Sequence, residues 1–145
     1  MKRITVLLAD DNKVVRTEFR KILELEGDLE VVGEARNGQQ AVGLVKTLRP
    51  SLVLMDAGMP RFNGFQATRQ ILKAYPKTKV LMLSAHSDEA YIVEAINAGA
   101  RGYLIKQSSI ENVCHAIREV HKGKTFFSPS ISTRFQKRNR AKKLD

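Results

Sequence analysis

Residues 52–60 read LVLMDAGMP. Four apolar residues run in a row and end on a carboxylate, Asp56. An apolar run of this length suits a strand buried on both faces. Such strands belong to parallel sheets with helices packed on either side. In that architecture functional groups gather where the strands end. The placement of Asp56 therefore raises a question of chemistry as well as of fold.

The same alternation continues in both directions. ITVLLA (4–9) has strand length and composition. VVRTEFRKILELEG (14–27) carries Val15, Phe19, Ile22 and Leu23 on a helical stripe closed by Gly27. LEVVGEA (29–35) predicts a strand, and GQQAVGLVKTL (38–48) a helix with Ala41, Leu44, Val45 and Leu48 on one face, stopped by Pro50. After the strand at 51–55, a helix is predicted from Gly64 to Tyr75, ended by Pro76. KVLMLSA (79–85) and GYLIK (102–106) are strands on either side of a helix that closes at Gly99. The last helix, SSIENVCHAIREVHKG (108–123), is expected to open on Ser108 and Glu111 in capping-box spacing. Its apolar face holds Ile110, Val113, Cys114, Ile117 and Val120. Five strands alternating with five helices, joined by right-handed crossovers, predict an α/β fold with an open, doubly wound parallel sheet. One domain is expected over 1–123, followed at 124–145 by a linker or basic tail, partly disordered. No internal repeat is visible.

The totals agree with one globular domain: 145 residues, 43% hydrophobic and 28% charged. No apolar run approaches the ~20 residues of a membrane span, and no signal-peptide pattern opens the chain. A single cysteine, Cys114, excludes an internal disulfide and fits a reducing cytoplasm. Its place on an apolar helix face reads as core filling. The net charge of +10 is uneven, because residues 134–145 carry six basic residues and one acidic residue. That segment accounts for half the excess. A basic tail can touch nucleic acid, or serve simply as a solvated linker.

The strand ends carry the chemistry. The first strand runs into Asp10 and Asp11, the third into Asp56, the fourth into Ser84 and the fifth into Lys106. Each has a plain structural use on its own: Asp10, Asp11 and Asn12 as helix caps, Ser84 as a turn residue, Lys106 as a solvated charge. Together they fall at the same end of four strands. Three adjacent carboxylates repel one another and call for a cation. Oxygen ligands with room for water suit Mg²⁺. A hydroxyl and an ammonium beside them suit a tetrahedral oxyanion. This is chemistry for accepting a phosphoryl group, where positioning and charge neutralisation do most of the work.

LLADDN, LVLMDAGMP followed by NG, VLMLSAH and AGARGYLIK resemble, in order and in spacing, the receiver domain of bacterial two-component response regulators. The likeness covers residues 4 to about 122. AGARGYLIK and the following GKTFFSPSIS look most like the LuxR-like DNA-binding class. The resemblance implies a flavodoxin-like (βα)5 fold of strand order 2-1-3-4-5. It implies that Asp56 takes a phosphoryl group from a sensor histidine kinase or phosphotransfer protein. Mg²⁺ would be held by Asp11, by Asp10 mainly through water, by Asp56 and by the Gly58 carbonyl. Ser84 would turn toward the phosphoryl group and Lys106 pair with it. Tyr103 would change rotamer with Ser84, biasing the face formed by the fourth helix, fifth strand and fifth helix. Such a domain is a cytoplasmic signalling protein that catalyses its own phosphorylation and dephosphorylation, not an enzyme in the ordinary sense. A homodimer formed on phosphorylation is among its expected assemblies.

The chain departs from the family pattern after Lys106, where Gln107 replaces a common proline. Gly58 and His86 flank the acceptor at positions expected to set how long the phosphoryl group lasts. His115 and His121 receive no role. The LuxR-like class would continue into a DNA-binding domain, which does not follow here; contact with DNA is expected through such a domain, or weakly through the basic tail. The alternatives are a stand-alone receiver or phosphorelay intermediate, and an aspartate-nucleophile phosphatase. The latter usually carries its nucleophile after the first strand, not the third.

Overall fold

The computed structural model describes residues 2–127. Its strands are β1 (Ile4–Ala9), β2 (Leu29–Ala35), β3 (Leu52–Asp56), β4 (Lys79–Ser84), β5 (Gly102–Ile105) and β6 (Phe126–Phe127). Its helices are α1 (Lys13–Glu24), α2 (Gly38–Leu48), α3 (Gly64–Ala74), α4 (Glu89–Ala98) and α5 (Lys106–His121). The sheet order is β2-β1-β3-β4-β5-β6, with every neighbouring pair parallel. The expected order 2-1-3-4-5 is present, extended by a sixth strand.

The period of two in a strand divides the core into layers. Leu7, Ala9, Val53, Met55, Val80, Met82 and Tyr103 face one way, beneath residues of α2, α3 and α4. Val6, Leu8, Leu52, Leu54, Leu81, Leu83 and Leu104 face the other, against α1 and α5. All five residues of β3 are buried, as a central strand covered on both sides requires. Among the described residues no helix is long and apolar enough to cross a membrane.

Two features differ from the expected layout. Helix α5 opens directly at Lys106, without a loop after β5, and has no side-chain cap. The capping-box expectation for Ser108 and Glu111 therefore falls inside the helix, and the Ser108 side chain lies outside the described residues. The other feature is β6, within the stretch expected to be linker. Phe126 donates its N–H to the Arg101 carbonyl at 2.9 Å, and Phe126 and Phe127 pair with Gly102 and Tyr103. Gly102 permits this approach, because a Cβ there would strike the Phe126 carbonyl oxygen. Phe126 packs on the α5 side of the sheet and Phe127 on the Tyr103 side. Residues 128–145, the rest of the expected tail, lie outside the described residues.

The segment between β3 and α3 is tightly folded. Gly64 donates its N–H to the Ala57 carbonyl at 3.2 Å. Asn63 and Gln66 open α3 with a reciprocal capping box. A Cβ on Gly64 would run into the Asp56 carbonyl oxygen. Gly64→Ala is expected to cost about 2 kcal/mol, as overpacking against main chain does, and to lower the thermal midpoint. A variant melting with the wild type would show that this turn has slack.

Candidate functional site

The carboxyl ends of the central strands converge on one rim. Asp10 follows β1, Asp56 ends β3, Ser84 ends β4 and Lys106 follows β5. Asp10, Asp56 and Ser84 are buried, whereas Asp11 is exposed. Carboxylate oxygens of Asp10, Asp11 and Asp56 all lie within 4.8 Å of one another. The Lys106 ammonium reaches in from the side, 2.9 Å from Asp10 Oδ2 and 3.4 Å from Asp56 Oδ2. The expected rim residues are thus brought together.

The electrostatics follow from burial and crowding. Burial, then the charge of Asp10, pushes the Asp56 carboxyl up to about 6, against the Gly58 N–H and the Lys106 ammonium. Burial works to lower the Lys106 ammonium, but the Asp10 and Asp56 carboxylates outweigh it and hold the pKa above its ordinary value. Asp56 Oδ1 accepts the Gly58 N–H at 3.1 Å, which orients the carboxylate. Asp10 Oδ2 is buried and receives no hydrogen bond of good geometry. An all-oxygen donor set with one such buried oxygen fits a hard divalent cation.

Ser84, His86 and Tyr103 form a connected chain. Ser84 Oγ accepts the His86 N–H at 3.0 Å, and the Tyr103 hydroxyl donates to the His86 carbonyl at 2.7 Å. The Tyr103 side chain is fully buried. Burial raises its phenol pKa, with Ser84 acting in the opposite direction. The His86 ring stacks on Tyr91 of α4, centroids 4.5 Å apart. His86 is therefore tied to this loop by its backbone and to α4 by its ring. A Cβ at Gly58 would lie 3.9 Å from Asp56 Oδ1. Among the described residues no peptide bond is cis, so the Lys106–Gln107 bond is trans.

Sequence reasoning passed over Arg16 and Tyr91. Arg16 is only 7% exposed and donates from Nη1 to the Asp10 carbonyl at 2.6 Å. Its signal was present, since Arg16, Phe19 and Leu23 share one buried helix face. Tyr91 gave no local signal, because its partner lies across the β4–α4 connection.

Fold and rim together define an open doubly wound α/β domain with an oxygen-rich, cation-compatible site at its switch in strand order. The profile of the response regulator receiver domain matches residues 6–118, and the chain belongs to that family. It is 36% identical over 130 residues to the transcriptional regulatory protein DegU of Brevibacillus brevis, covering 90% of this chain and 55% of the relative. It is 40% identical over 129 residues to the transcriptional regulatory protein LnrK of Bacillus subtilis (strain 168), covering 89% and 59%. Among solved structures, a LuxR-family two-component response regulator from Aurantimonas sp. SI85-9A1 superposes with a TM-score of 0.90 at 29% identity, covering 95% of this chain and 99% of that one. The chain spans somewhat over half the length of the curated relatives it matches. These relatives place it with the receivers of the LuxR and DegU class.

Proposed function

We propose that this chain is the phosphoacceptor module of a cytoplasmic two-component regulator, with Asp56 as the acceptor. The carrying observation is the buried Asp56 carboxylate at the rim, ringed by Asp10, Asp11 and Lys106. An Asp56 oxygen attacks phosphorus and forms the aspartyl phosphate as the bond to the leaving group breaks. The leaving group departs with that electron pair: the imidazole of a kinase or phosphotransfer protein, or the carboxylate of a small acyl phosphate. With a pKa near 6, Asp56 is mostly ionised at neutral pH and ready to attack. Asp10, Asp11, Asp56 and the Gly58 carbonyl would hold Mg²⁺, which supplies charge neutralisation for the incoming phosphoryl oxygens. Lys106 adds a fixed positive charge.

Switching would then pass through Ser84. Turning its hydroxyl toward a phosphoryl oxygen gives up the His86 N–H. That frees the loop whose carbonyl holds Tyr103, and biases the α4–β5–α5 face toward a partner or a second copy. The names of the relatives support transcription as the output, through sequence beyond the part they share with this chain. Incubation with a small acyl phosphate and Mg²⁺, read by intact mass, tests the assignment. One added phosphoryl group supports it, and no modification by small donors or by a cognate kinase overturns it.

Gly58 and His86 are assigned to the lifetime of the product. Gly58→Asn sets a side chain over the acceptor, and is expected to slow dephosphorylation several-fold by excluding water. His86→Ala removes the ring stacked on Tyr91, and is expected to change the rate as well. Phosphoryl decay followed by mass or radiolabel decides; unchanged rates in both variants would remove this role.

A further inference from the structure

Helix α1 buries a guanidinium where an apolar side chain would satisfy packing. Phe19 and Leu23 occupy the rest of that face. A buried charge persists at a cost unless it is paired and hydrogen-bonded. Arg16 makes both kinds of contact: Nε to Glu34 Oε1 at 3.0 Å, and Nη1 to the main-chain carbonyl of Asp10 at 2.6 Å. Glu34 is braced in turn by Arg20 Nε, 2.9 Å from its other oxygen. Burial opposes ionisation of Glu34, but hydrogen bonds from Arg20 and Arg16 hold its carboxyl below the usual range.

The effect on Asp10 is specific. Its N–H is bound to the Ala35 carbonyl at 3.0 Å, its carbonyl by Arg16, and its Oδ1 by the Asn12 N–H at 2.9 Å. The one remaining polar atom, Oδ2, lies at the carboxylate cluster, 2.9 Å from the Lys106 ammonium. We propose that Arg16 is the positioning residue of the cation site. Braced by Glu34, it clamps the Asp10 peptide so that the Asp10–Asp11 turn presents its carboxylates to a divalent cation. Glu34, which Arg16 shares with Arg20, also offsets part of the charge of Arg16, which would otherwise repel the cation through the peptide. This inference rests on the assignment of a Mg²⁺ site to Asp10, Asp11 and Asp56.

Mg²⁺ binding to the full chain by isothermal titration calorimetry tests it. Partners that orient ligands typically account for roughly 10–100-fold of metal affinity, and Arg16→Met is expected to lose about tenfold or more. That variant leaves Glu34 without one of its partners and so can lose stability for unrelated reasons. Arg16→Met combined with Glu34→Met removes both charges. It is expected to remain folded, by its thermal transition, and still to bind Mg²⁺ about tenfold more weakly. Arg16→Lys keeps the charge but cannot span both partners, and is expected to fall between wild type and Arg16→Met. Arg20→Met, which shares Glu34 but does not touch Asp10, is expected to bind Mg²⁺ much as the wild type does. A folded double variant with wild-type affinity overturns the assignment of Arg16 and leaves the cation site intact. Should the double variant not fold, wild-type affinity in Arg16→Lys overturns it instead. If the wild type binds no Mg²⁺, or Asp11→Asn binds as tightly as the wild type, the cation site itself is wrong and this inference falls with it.

Discussion

Asp56→Asn takes up no phosphoryl group from a small acyl phosphate and Mg²⁺, under conditions where the wild type gains one by intact mass. The expected loss is complete, because the rim offers no equivalent nucleophile. Asp10 Oδ2 faces the Lys106 ammonium at 2.9 Å, Asp11 is exposed, and the Ser84 hydroxyl accepts the His86 N–H. Of the three carboxylates, Asp56 ends the central strand and has its Oδ1 oriented by the Gly58 N–H at 3.1 Å. Asparagine keeps an oxygen for that bond, so the variant should fold, and loss of uptake then reports chemistry. Residual modification of the variant would move the acceptor to another rim residue and overturn the assignment.

The same substitution is expected to stabilise the metal-free protein, and only above mildly acidic pH. In the folded chain Asp56 holds its proton up to about pH 6, because burial and then Asp10 oppose its charge; its ordinary value is 3.8. Folding therefore takes up a proton between these two values. Below pH 3.8 the group is protonated in both states and carries no penalty. Between pH 3.8 and about 6 the unfolded chain ionises this group while the folded chain still holds its proton, so stability falls across that window and levels off above it. Above that range the deficit is on the order of 3 kcal/mol. Asparagine cannot ionise, so the variant should be more stable by about that amount at pH 7.5 and nearly equal to the wild type near pH 4. Thermal or urea unfolding across this range measures it. Parallel pH profiles for the two proteins would show that Asp56 is not strained by its neighbours. Added Mg²⁺ should narrow the gap, since a cation favours the ionised carboxylate.

The legible parts of this molecule were those set by period and by strand ends. β1, β3 and β4 announced burial on both faces through unbroken apolar runs, and a parallel sheet sends all such strands toward one rim. Asp10, Asp56, Ser84 and Lys106 could therefore be grouped without knowing any distance. β6 was hidden because two phenylalanines after a helix have no period, and their pairing depends on a bare Gly102 on a distant strand. The start of α5 was misjudged because the Ser108–Glu111 spacing is a local cue, whereas the strand passes directly into helix at Lys106. Arg16 was overlooked because the helical stripe was drawn through apolar residues alone. The stacking of His86 on Tyr91 had no sequence signal, since it depends on how α4 settles beside the β4–α4 connection.

The glycine at the start of α3 gives the rim a mechanical asymmetry. On one side Gly64 sits hard against the Asp56 carbonyl, and Ala57 donates its N–H to the Leu83 carbonyl at 2.8 Å. On the other side residues 85–88 are exposed; His86 is tied by its hydrogen bonds and ring stack, and the Asp88 carbonyl accepts the Tyr91 and Ile92 N–H groups of α4. The site is built like a vice with one tightly packed jaw and one exposed jaw. Work done by a group arriving at Asp56 has little compliance to spend on the α3 side. We infer that it would act mainly on the jaw that carries His86, which is the side on which Tyr103 and α4 lie.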